Sequence, residues 1–210
     1  MKKTSAANNV ALFNFGTPAL RSVTGLITCP NAGLCAVDCY ARQGSFNYPN
    51  VKNAYEQRLE ISLTADFVPL MNNEIRFERI RNKGKQVIIR IHDSADYYSE
   101  AYFDKWLTIM RDNPDVQFYA YSKMVSLHKR TELPSNYTVI FSLGGKEDNL
   151  IDLDNDRHSR VFESLELFGS GYVNASNDDL MAISSLSTKI GLVYHGVRKY
   201  ANTTWRKVMA

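Results

Sequence analysis

Two kinds of hydrophobic pattern alternate along this chain. The segments QVIIRIH, which begins at Gln86, and VQFYAY, which begins at Val116, are largely apolar. Such short, nearly continuous runs are typical of strands that are buried on both faces of a parallel sheet. In Ser99–Asp112 the apolar residues instead recur at the spacing of one helix face, and they are Tyr102, Phe103, Trp106, Ile109 and Met110. Ser99 is a suitable N-cap for that helix.

Over the whole chain the pattern predicts six helices and five strands. The helices are expected at residues 51–63, 66–82, 99–112, 124–130, 158–168 and 178–186. The strands are expected at residues 86–92, 116–121, 137–143, 172–175 and 190–195, with a long polar loop from Gly144 to Asp156. Repetition of strand and helix in this order favours parallel strands joined by crossover helices on the outside. We therefore expect an α/β fold, a partial (β/α) barrel, with an open doubly wound sheet as the alternative.

Polar residues gather where these strands end. They are Arg90, His92, Asp93, Ser94 and Asp96, then Tyr121, Ser122 and Lys123, then Ser142, Gly144 and Gly145, then Asn174 and Ser176, and finally Tyr194, His195 and Gly196. The carboxyl ends of parallel strands meet at one edge of a sheet, where the ligands of such folds bind. The sequence therefore predicts a shared polar cleft at this edge.

Composition describes an ordinary globular chain. Its 210 residues are 44% hydrophobic and 22% charged, which fits one domain over residues 1–210. There is no apolar run near 18 residues and no sustained apolar segment at the N-terminus, so we expect no membrane span and a location in the cytoplasm. The net charge of +3 is too small to indicate a nucleic-acid partner, and the basic stretch Arg76–Lys85 fits a solvated helix end.

The three cysteines carry the strongest chemical signal. Cys29, Cys35 and Cys39 are the only cysteines, and they lie together in CPNAGLCAVDC. An odd count does not suit a disulfide framework, and clustered free thiols agree with a reducing compartment. Three thiolates in one loop predict a 4Fe–4S cluster with one iron open to another ligand. The alternatives are a zinc ion held by three cysteines and one histidine, and three unrelated buried thiols.

Five titratable residues of the predicted cleft are candidates for a role beside such a cluster: His92, Asp93, Asp96, Lys123 and His195. His92 also fits a core histidine, and one of the two aspartates fits a cap of the following helix. Lys123 is placed to face an anionic cluster or a carboxylate. His195 is the histidine candidate for the open iron, with solvent or a small molecule as the competing ligand.

Two other classes of enzyme are excluded by missing motifs. Gly144-Gly145-Lys146 lacks the GxxxxGK[ST] spacing of a phosphate-binding loop. The chain also contains no GxSxG nucleophile elbow, so a Ser–His–Asp hydrolase of that type is not indicated.

Four segments resemble the bacteriophage gene product 88 family, and the resemblance runs over nearly the whole chain. They are TCPNAGLCAVDCYARQG at Thr28–Gly44, VIIRIHDSADYYSEAYFDKW at Val87–Trp106, VQFYAYSK at Val116–Lys123 and IGLVYHG at Ile190–Gly196. The resemblance implies a phage protein that works in the cytoplasm of the host cell. Many members carry further cysteines near the C-terminus, whereas this chain has none after Cys39, which leaves one cysteine cluster.

A looser resemblance is to radical S-adenosylmethionine enzymes, in which three cysteines after the first strand of a partial barrel bind a 4Fe–4S cluster. Their usual spacing is Cx3Cx2C with an aromatic residue before the last cysteine. Here the spacing is Cx5Cx3C, with Asp38 before Cys39 and Tyr40 after it, and the glycine-rich GGE segment is missing. Binding of S-adenosylmethionine is therefore an analogy at the level of the fold.

These observations predict a phage iron–sulfur protein with one cluster on Cys29, Cys35 and Cys39. The first hypothesis is a redox or radical enzyme that acts on an unknown small molecule at the open iron, with a host reductase as a candidate partner. The second is a non-catalytic cluster protein that carries electrons, senses oxidants or binds a host partner. The third is a zinc-stabilised binding module.

Overall fold

One eight-stranded sheet carries the fold in the computed structural model, which describes residues 1–5 and 9–194. The strands are β1 (Lys2–Ser5), β2 (Val10–Phe15), β3 (Gln86–Ile91), β4 (Gln117–Ser122), β5 (Tyr137–Ser142), β6 (His158–Phe162), β7 (Val173–Asn174) and β8 (Lys189–Val193). Their order in the sheet is β1-β2-β3-β4-β5-β6-β8-β7. β1 pairs antiparallel with β2, and the other seven strands are parallel. They curl into a half-barrel, so the predicted partial barrel is confirmed.

Helices cover the outer face of this sheet. They are α1 (Pro49–Leu63), α2 (Phe67–Arg81), α3 (Glu100–Asp112) and the short α4 (Val125–Lys129). A further short helix, α5 (Met181–Ser184), packs on the inner face. Alternate residues of the parallel strands, such as Phe13 and Ile89, are buried with Phe67 of α2 and Trp106 of α3 in one large core. α3 begins at the predicted N-cap, because the Ser99 hydroxyl accepts a hydrogen bond from the Tyr102 amide at 3.2 Å.

The inner face of the half-barrel holds a second, smaller core. It contains Leu12, Ile88, Tyr119, Ile140 and Ile190 from five strands, packed with Ala175 and with Ala182 of α5. This apolar layer fills part of the inner face, and polar side chains line the part near the carboxyl ends of the strands. None of the helices in the described ranges is both long and apolar enough to cross a bilayer.

Most predicted elements lie within two residues of the observed ones, but the helix predicted at 158–168 is wrong. That segment forms β6, followed by a single 3₁₀ turn at Leu165–Leu167. Val161, Leu165 and Phe168 have helical spacing, yet β6 gains hydrogen bonds from β5 and β8 on its two sides. Pairing within the sheet therefore overrides the local pattern.

Two further differences concern the ends of the chain. β1 and β2 were not predicted, although VALFNF supplies a largely apolar strand that pairs with β3 over six residues. α5 covers four residues, Met181–Ser184, instead of the predicted 178–186, because residues 176–180 turn toward the inner face of the sheet and place Asp179 there.

Candidate functional site

The segment between β2 and α1, residues 16–48, carries all three cysteines and is called the cysteine loop below. It has no α-helix, and its local structure is three 3₁₀ turns at Leu34–Ala36, Tyr40–Arg42 and Gly44–Asn47. It follows the parallel strand β2, so it begins at the carboxyl edge of the sheet, where the strand-end residues were expected to meet.

Backbone hydrogen bonds fasten the cysteine loop to the loop after β5. The Cys35 amide donates to the Gly144 carbonyl at 3.2 Å, and the Lys146 amide donates to the Asn31 carbonyl at 3.0 Å. Ala32 and Gly145 form an isolated antiparallel bridge. The Asp148 carboxylate accepts from the amides of Gly144 at 2.7 Å and Gly145 at 2.9 Å, which holds the receiving loop in shape.

A second set of contacts fastens the cysteine loop to the end of β3. The Asp96 amide donates to the Thr28 carbonyl at 3.0 Å, next to Cys29. The Tyr40 hydroxyl, next to Cys39, donates to the Asp93 carbonyl. Tyr40 as a residue is 43% exposed, but burial around its hydroxyl raises the pKa of that group to about 12.

A cavity of about 390 Å³ lies between the cysteine loop and the strand ends. Its wall includes the three cysteines and polar residues from β2, β3, β4, β5 and the segment after β7. This volume lies within the range of about 300–1,000 Å³ that is usual for small-molecule sites. The shared cleft predicted from the strand ends is therefore present beside the cysteines.

The three cysteines of this cavity are half-buried, and their thiols are close enough to influence one another. The pKa of Cys29 is raised to about 12, mainly by burial and to a smaller extent by Asp96, Cys39 and Cys35, while a hydrogen bond from the Leu20 amide to Sγ at 3.3 Å opposes the rise. Burial and Cys35 also raise the pKa of Cys39. Without a bound cation these two thiols stay protonated at neutral pH, which makes them poor nucleophiles.

The spacing of potential ligands bears on the kind of metal centre. Within residues 1–5 and 9–194, no three His, Cys, Asp or Glu side chains converge closely enough to hold a single metal ion. A zinc ion draws its sulfurs to about 2.3 Å from one centre. In a 4Fe–4S cluster each cysteine binds a different iron, so the cysteine sulfurs lie farther apart than the ligands of a single ion.

Arg90 and Asp179 form a partly buried ion pair across the cavity. Nη1 of Arg90 lies 3.2 Å and 3.1 Å from the two carboxylate oxygens of Asp179. The guanidinium carbon also lies 5.0 Å from the ring centre of Tyr121 on β4. The pair joins β3 to the segment after β7 and fixes the position of both side chains.

Asp93 and Asp96 have different surroundings. The Asp93 carboxylate borders the cavity, where Oδ2 accepts from the Tyr55 hydroxyl at 2.9 Å. Asp96 is buried and accepts from the Ser122 hydroxyl at 2.7 Å, the Lys123 amide at 2.7 Å and the Tyr97 amide at 2.8 Å. Burial raises the pKa of Asp96 and those hydrogen bonds lower it in part. Asp96 thus connects β3 to β4.

Lys123 brings a positive charge to the cysteines. Its ammonium group donates to the Ser142 hydroxyl at 2.6 Å and the Ser142 carbonyl at 3.1 Å. Together with Arg42, this charge acts to lower the pKa of Cys39 against the effect of burial. Lys123 thus borders the same cavity as the three cysteines, which is the position expected for it.

Of the two histidine candidates, the structure describes only His92. His92 borders the cavity, but its imidazole packs on Tyr97 and Tyr102, and Nε2 lies 3.0 Å from the Tyr102 hydroxyl. Burial and His128 lower the pKa of His92 to about 3, so the ring is neutral. His195 lies outside the described residues.

Four polar residues of the cavity wall are absent from the predicted candidates: Asn14, Asp38, Tyr40 and Asp179. Asn14 interrupts the apolar run of β2, which was a usable signal for a polar site. Asp38 and Tyr40 flank Cys39, so the cysteine motif itself pointed to them. Asp179 reaches the site only because the segment after β7 folds over the inner face, which the local sequence does not predict.

Comparisons with known proteins identify a family. The sequence model of the family described as Gene product 88 matches residues 1–201. The Gene 88 protein of Mycobacterium phage L5 is 28% identical over 123 residues, which cover 55% of this chain and 52% of that protein. The Gene 88 protein of Mycobacterium phage D29 is 27% identical over 123 residues, covering 55% and 51%. The chain therefore spans about half the length of these curated relatives. No solved structure matches it.

Proposed function

The chain belongs to the gene product 88 family, and we propose that it is a phage iron–sulfur protein that acts on a small molecule. Cys29, Cys35 and Cys39 would hold one 4Fe–4S cluster, leaving one iron open toward the cavity. The observation that carries the proposal is that all three thiols border the same cavity as the polar strand ends. When bound, such a cluster supplies one-electron redox chemistry and an iron that can bind a ligand.

The state of the thiols supports a metal centre over a cysteine nucleophile. Burial keeps Cys29 protonated, since its pKa is raised to about 12. A nucleophilic cysteine needs a lowered pKa, as does a thiol that takes part in rapid disulfide exchange. A bound metal displaces the thiol protons through its own charge, so binding would release protons and favour the folded state.

Neighbouring groups are arranged to stabilise negative charge on sulfur. The Leu20 amide points at Cys29 Sγ from 3.3 Å, and the Ala41 amide likewise lowers the pKa of Cys39. The ammonium group of Lys123, held by Ser142, acts on Cys39 in the same direction. Amide donors and positive charge near the sulfurs are the usual means by which a protein adjusts a cluster's reduction potential.

The alternatives differ in what they need from the site. An electron-transfer, sensing or host-binding protein needs the cluster but no space for a substrate, whereas a cavity of about 390 Å³ lies beside these cysteines. A zinc-stabilised module needs a fourth ligand and close convergence on one ion. S-adenosylmethionine is a candidate occupant on the resemblance to radical enzymes alone. A host reductase is the candidate electron donor for either redox function.

The test is metal analysis of anaerobically purified protein, comparing the wild type with Cys35→Ala. We expect about four irons and about four sulfides per chain and a paramagnetic resonance signal after reduction with dithionite. Cys35→Ala should lose iron and also melt at a lower temperature, because metal binding is coupled to folding. Ser45→Ala, an exposed position in the cysteine loop, is the matched control and should keep its iron.

The outcomes separate the alternatives. Unchanged iron in Cys35→Ala would refute the assignment of the cysteines, and stoichiometric zinc without sulfide would establish the zinc module. If S-adenosylmethionine alters the signal of the reduced cluster, a radical reaction is supported. An iron–sulfur cluster that responds to no added small molecule would favour electron transfer or sensing.

A further inference from the structure

We infer that the cavity beside the cysteines binds a small molecule that carries a primary ammonium group, held by Asp93 and Asn14. The inference rests on the proposed function in that it names the ligand class of the same cavity. It is carried by unpartnered oxygens in the wall and by the balance of charge around them.

Three buried amide or carboxylate oxygens of the wall lack a hydrogen-bond partner among the described residues. They are Oδ1 of Asn14, Oδ1 of Asp93 and Oδ2 of Asp38. The Asn14 side chain belongs to a residue that is 7% exposed, and Asp38 is 3% exposed. Buried polar atoms in proteins are nearly always paired, so these oxygens point to a ligand that donates hydrogen bonds.

Asn14 and Asp93 lie on neighbouring strand ends. β2 and β3 pair in register, with Asn14 opposite Arg90, and the amides of His92 and Asp93 lie 2.7 Å and 3.4 Å from the Phe15 carbonyl. The Asp93 carboxylate packs against Gly16, where an added Cβ would lie 1.9 Å from Oδ1. The absence of a side chain at Gly16 thus makes room for this carboxylate, and the Tyr55 hydroxyl fixes its other oxygen.

The charges around the cavity favour a cation. Among residues 1–5 and 9–194, its wall contains four carboxylates, from Asp38, Asp93, Asp96 and Asp179, but only two charged bases, Arg90 and Lys123. Arg90 is paired with Asp179, and Lys123 is held by Ser142. Neither Asp38 nor Asp93 forms an ion pair with a cation of the described chain. Thiolates of a bound cluster would add further negative charge.

This excess of negative charge favours a cationic ligand over an anionic one. A carboxylate or phosphate ligand would bring more negative charge beside Asp38 and Asp93 and would leave the acceptor oxygens unpaired. An ammonium group offers three hydrogen-bond donors and the missing positive charge. Nε of Arg90 and the Tyr121 hydroxyl, on the same wall, are donors that find no partner in the described part of the chain, and an oxygen atom elsewhere on the ligand would accept from them.

The experiment uses butylammonium as the probe, with butyrate and butan-1-ol as the anionic and neutral controls of the same length. Binding to the full chain is followed by chemical-shift changes in nuclear magnetic resonance spectra. We expect butylammonium to bind most tightly, and Asp93→Asn to weaken it by roughly tenfold or more, as for the loss of a hydrogen bond to a charged group. Asp104→Asn, at an exposed position on α3, should bind as the wild type does.

Further variants distinguish a loss of ligand binding from a loss of folding. If Asp93→Asn lowers the melting temperature, Asn14→Leu gives an independent measure and should also weaken butylammonium. Tighter binding of butyrate, or unchanged butylammonium affinity in both variants, would overturn the inference. The same titration on Cys35→Ala separates the two proposals: ammonium binding that persists without iron supports the ligand class alone, and a normal iron content without ammonium binding refutes only the ligand class.

Discussion

His92 shows how one position can serve the site without taking part in its chemistry. Its backbone has a φ of +65°, in the left-handed region that residues other than glycine seldom adopt. That turn ends β3 and sends the following residues, with Asp93, toward the cavity. The imidazole itself goes the other way, into the aromatic core, where it is 2% exposed and contacts Tyr102.

The burial of this ring predicts an acid-sensitive fold. The pKa of His92 is lowered to about 3 in the folded protein, below its ordinary value of 6.5, so the unfolded chain binds the proton first. Stability is therefore full above about pH 6.5 and falls as the pH drops toward 3, by roughly 2–3 kcal/mol at pH 4.5 from this residue. Urea unfolding between about pH 7 and pH 4.5 should show a smaller fall for His92→Gln than for the wild type.

A second variant distinguishes titration from packing. Tyr102→Phe removes the partner of His92 Nε2 but keeps the imidazole. It should be less stable at every pH and retain the dependence on pH. His128, whose pKa burial lowers to about 4, contributes in the same direction, so part of the fall should remain in His92→Gln. An equal fall in His92→Gln and the wild type would contradict the role given to His92.

At the scale of elements, the cysteine loop depends on a close approach of two backbones. Gly33 packs directly on the loop after β5, and an added Cβ would lie 2.8 Å from the Gly144 oxygen and 2.9 Å from the Gly145 carbonyl carbon. Gly144 has a φ of +99°, which suits glycine. Both contacts are with backbone atoms, which cannot rotate away as a side chain can.

Gly33→Ala should therefore displace the cysteine loop while leaving the sheet intact. We expect a destabilisation of about 1–3 kcal/mol from the forced shift and a clear loss of bound iron. Gly169→Ala is the matched control, because its nearest neighbour lies 3.7 Å from the added Cβ. Iron content and thermal melting check the prediction, and a Gly33→Ala protein with full iron content would show that the docking is not needed for the metal.

The elements also show what a sequence can and cannot predict here. β3, α3, β4 and β5 are predicted to within two residues, since each carries a continuous apolar run or one apolar helix face. β6 is short and its burial comes from pairing with β5 and β8, so its local pattern is ambiguous. Local pattern reports the face that an element buries, but it does not report which neighbours that element has.

The same distinction applies to the site. The cysteines, Asp93 and Lys123 could be predicted because they follow strands or form a motif, and the cavity wall contains all of them. Asp179 could not, because it reaches Arg90 across 89 residues of sequence. The opposite roles of His92 and Asp93 also could not be predicted, since they depend on the turn at the end of β3.

At the scale of the whole molecule, the cysteine loop connects parts of an open half-barrel. It contacts the end of β3 through Tyr40, the loop after β5 through Cys35, and the end of β8, where the Tyr194 hydroxyl donates to the Asp38 carbonyl at 3.3 Å. A half-barrel has no closing strand pair to tie its two sides together. The loop supplies part of that connection at the carboxyl edge.

Loading the cysteines should therefore stiffen distant parts of the chain together. We expect slower hydrogen exchange of amides in the cysteine loop, in the loop after β5 and around Tyr194 when iron is bound. Amides of α2, on the outer face, should exchange at the same rate in both states. Mass spectrometry of iron-loaded and metal-free protein measures this, with Cys35→Ala as the control that should not respond. Protection confined to residues 29–39 would contradict a connecting role.

The order of the site residues in the sequence limits when the site can form during synthesis. The three cysteines leave the ribosome early, whereas their docking partners at Asp93, Gly144 and Tyr194 follow much later. At about 5–20 residues per second, the roughly 155 residues between Cys39 and Tyr194 take about 10–30 seconds to make. During that interval the thiols are neither buried nor held apart by the fold. The site can therefore assemble only after residue 194 has been made. In an oxidising cell two cysteines of the nascent chain could form a disulfide before Tyr194, the last docking partner, exists.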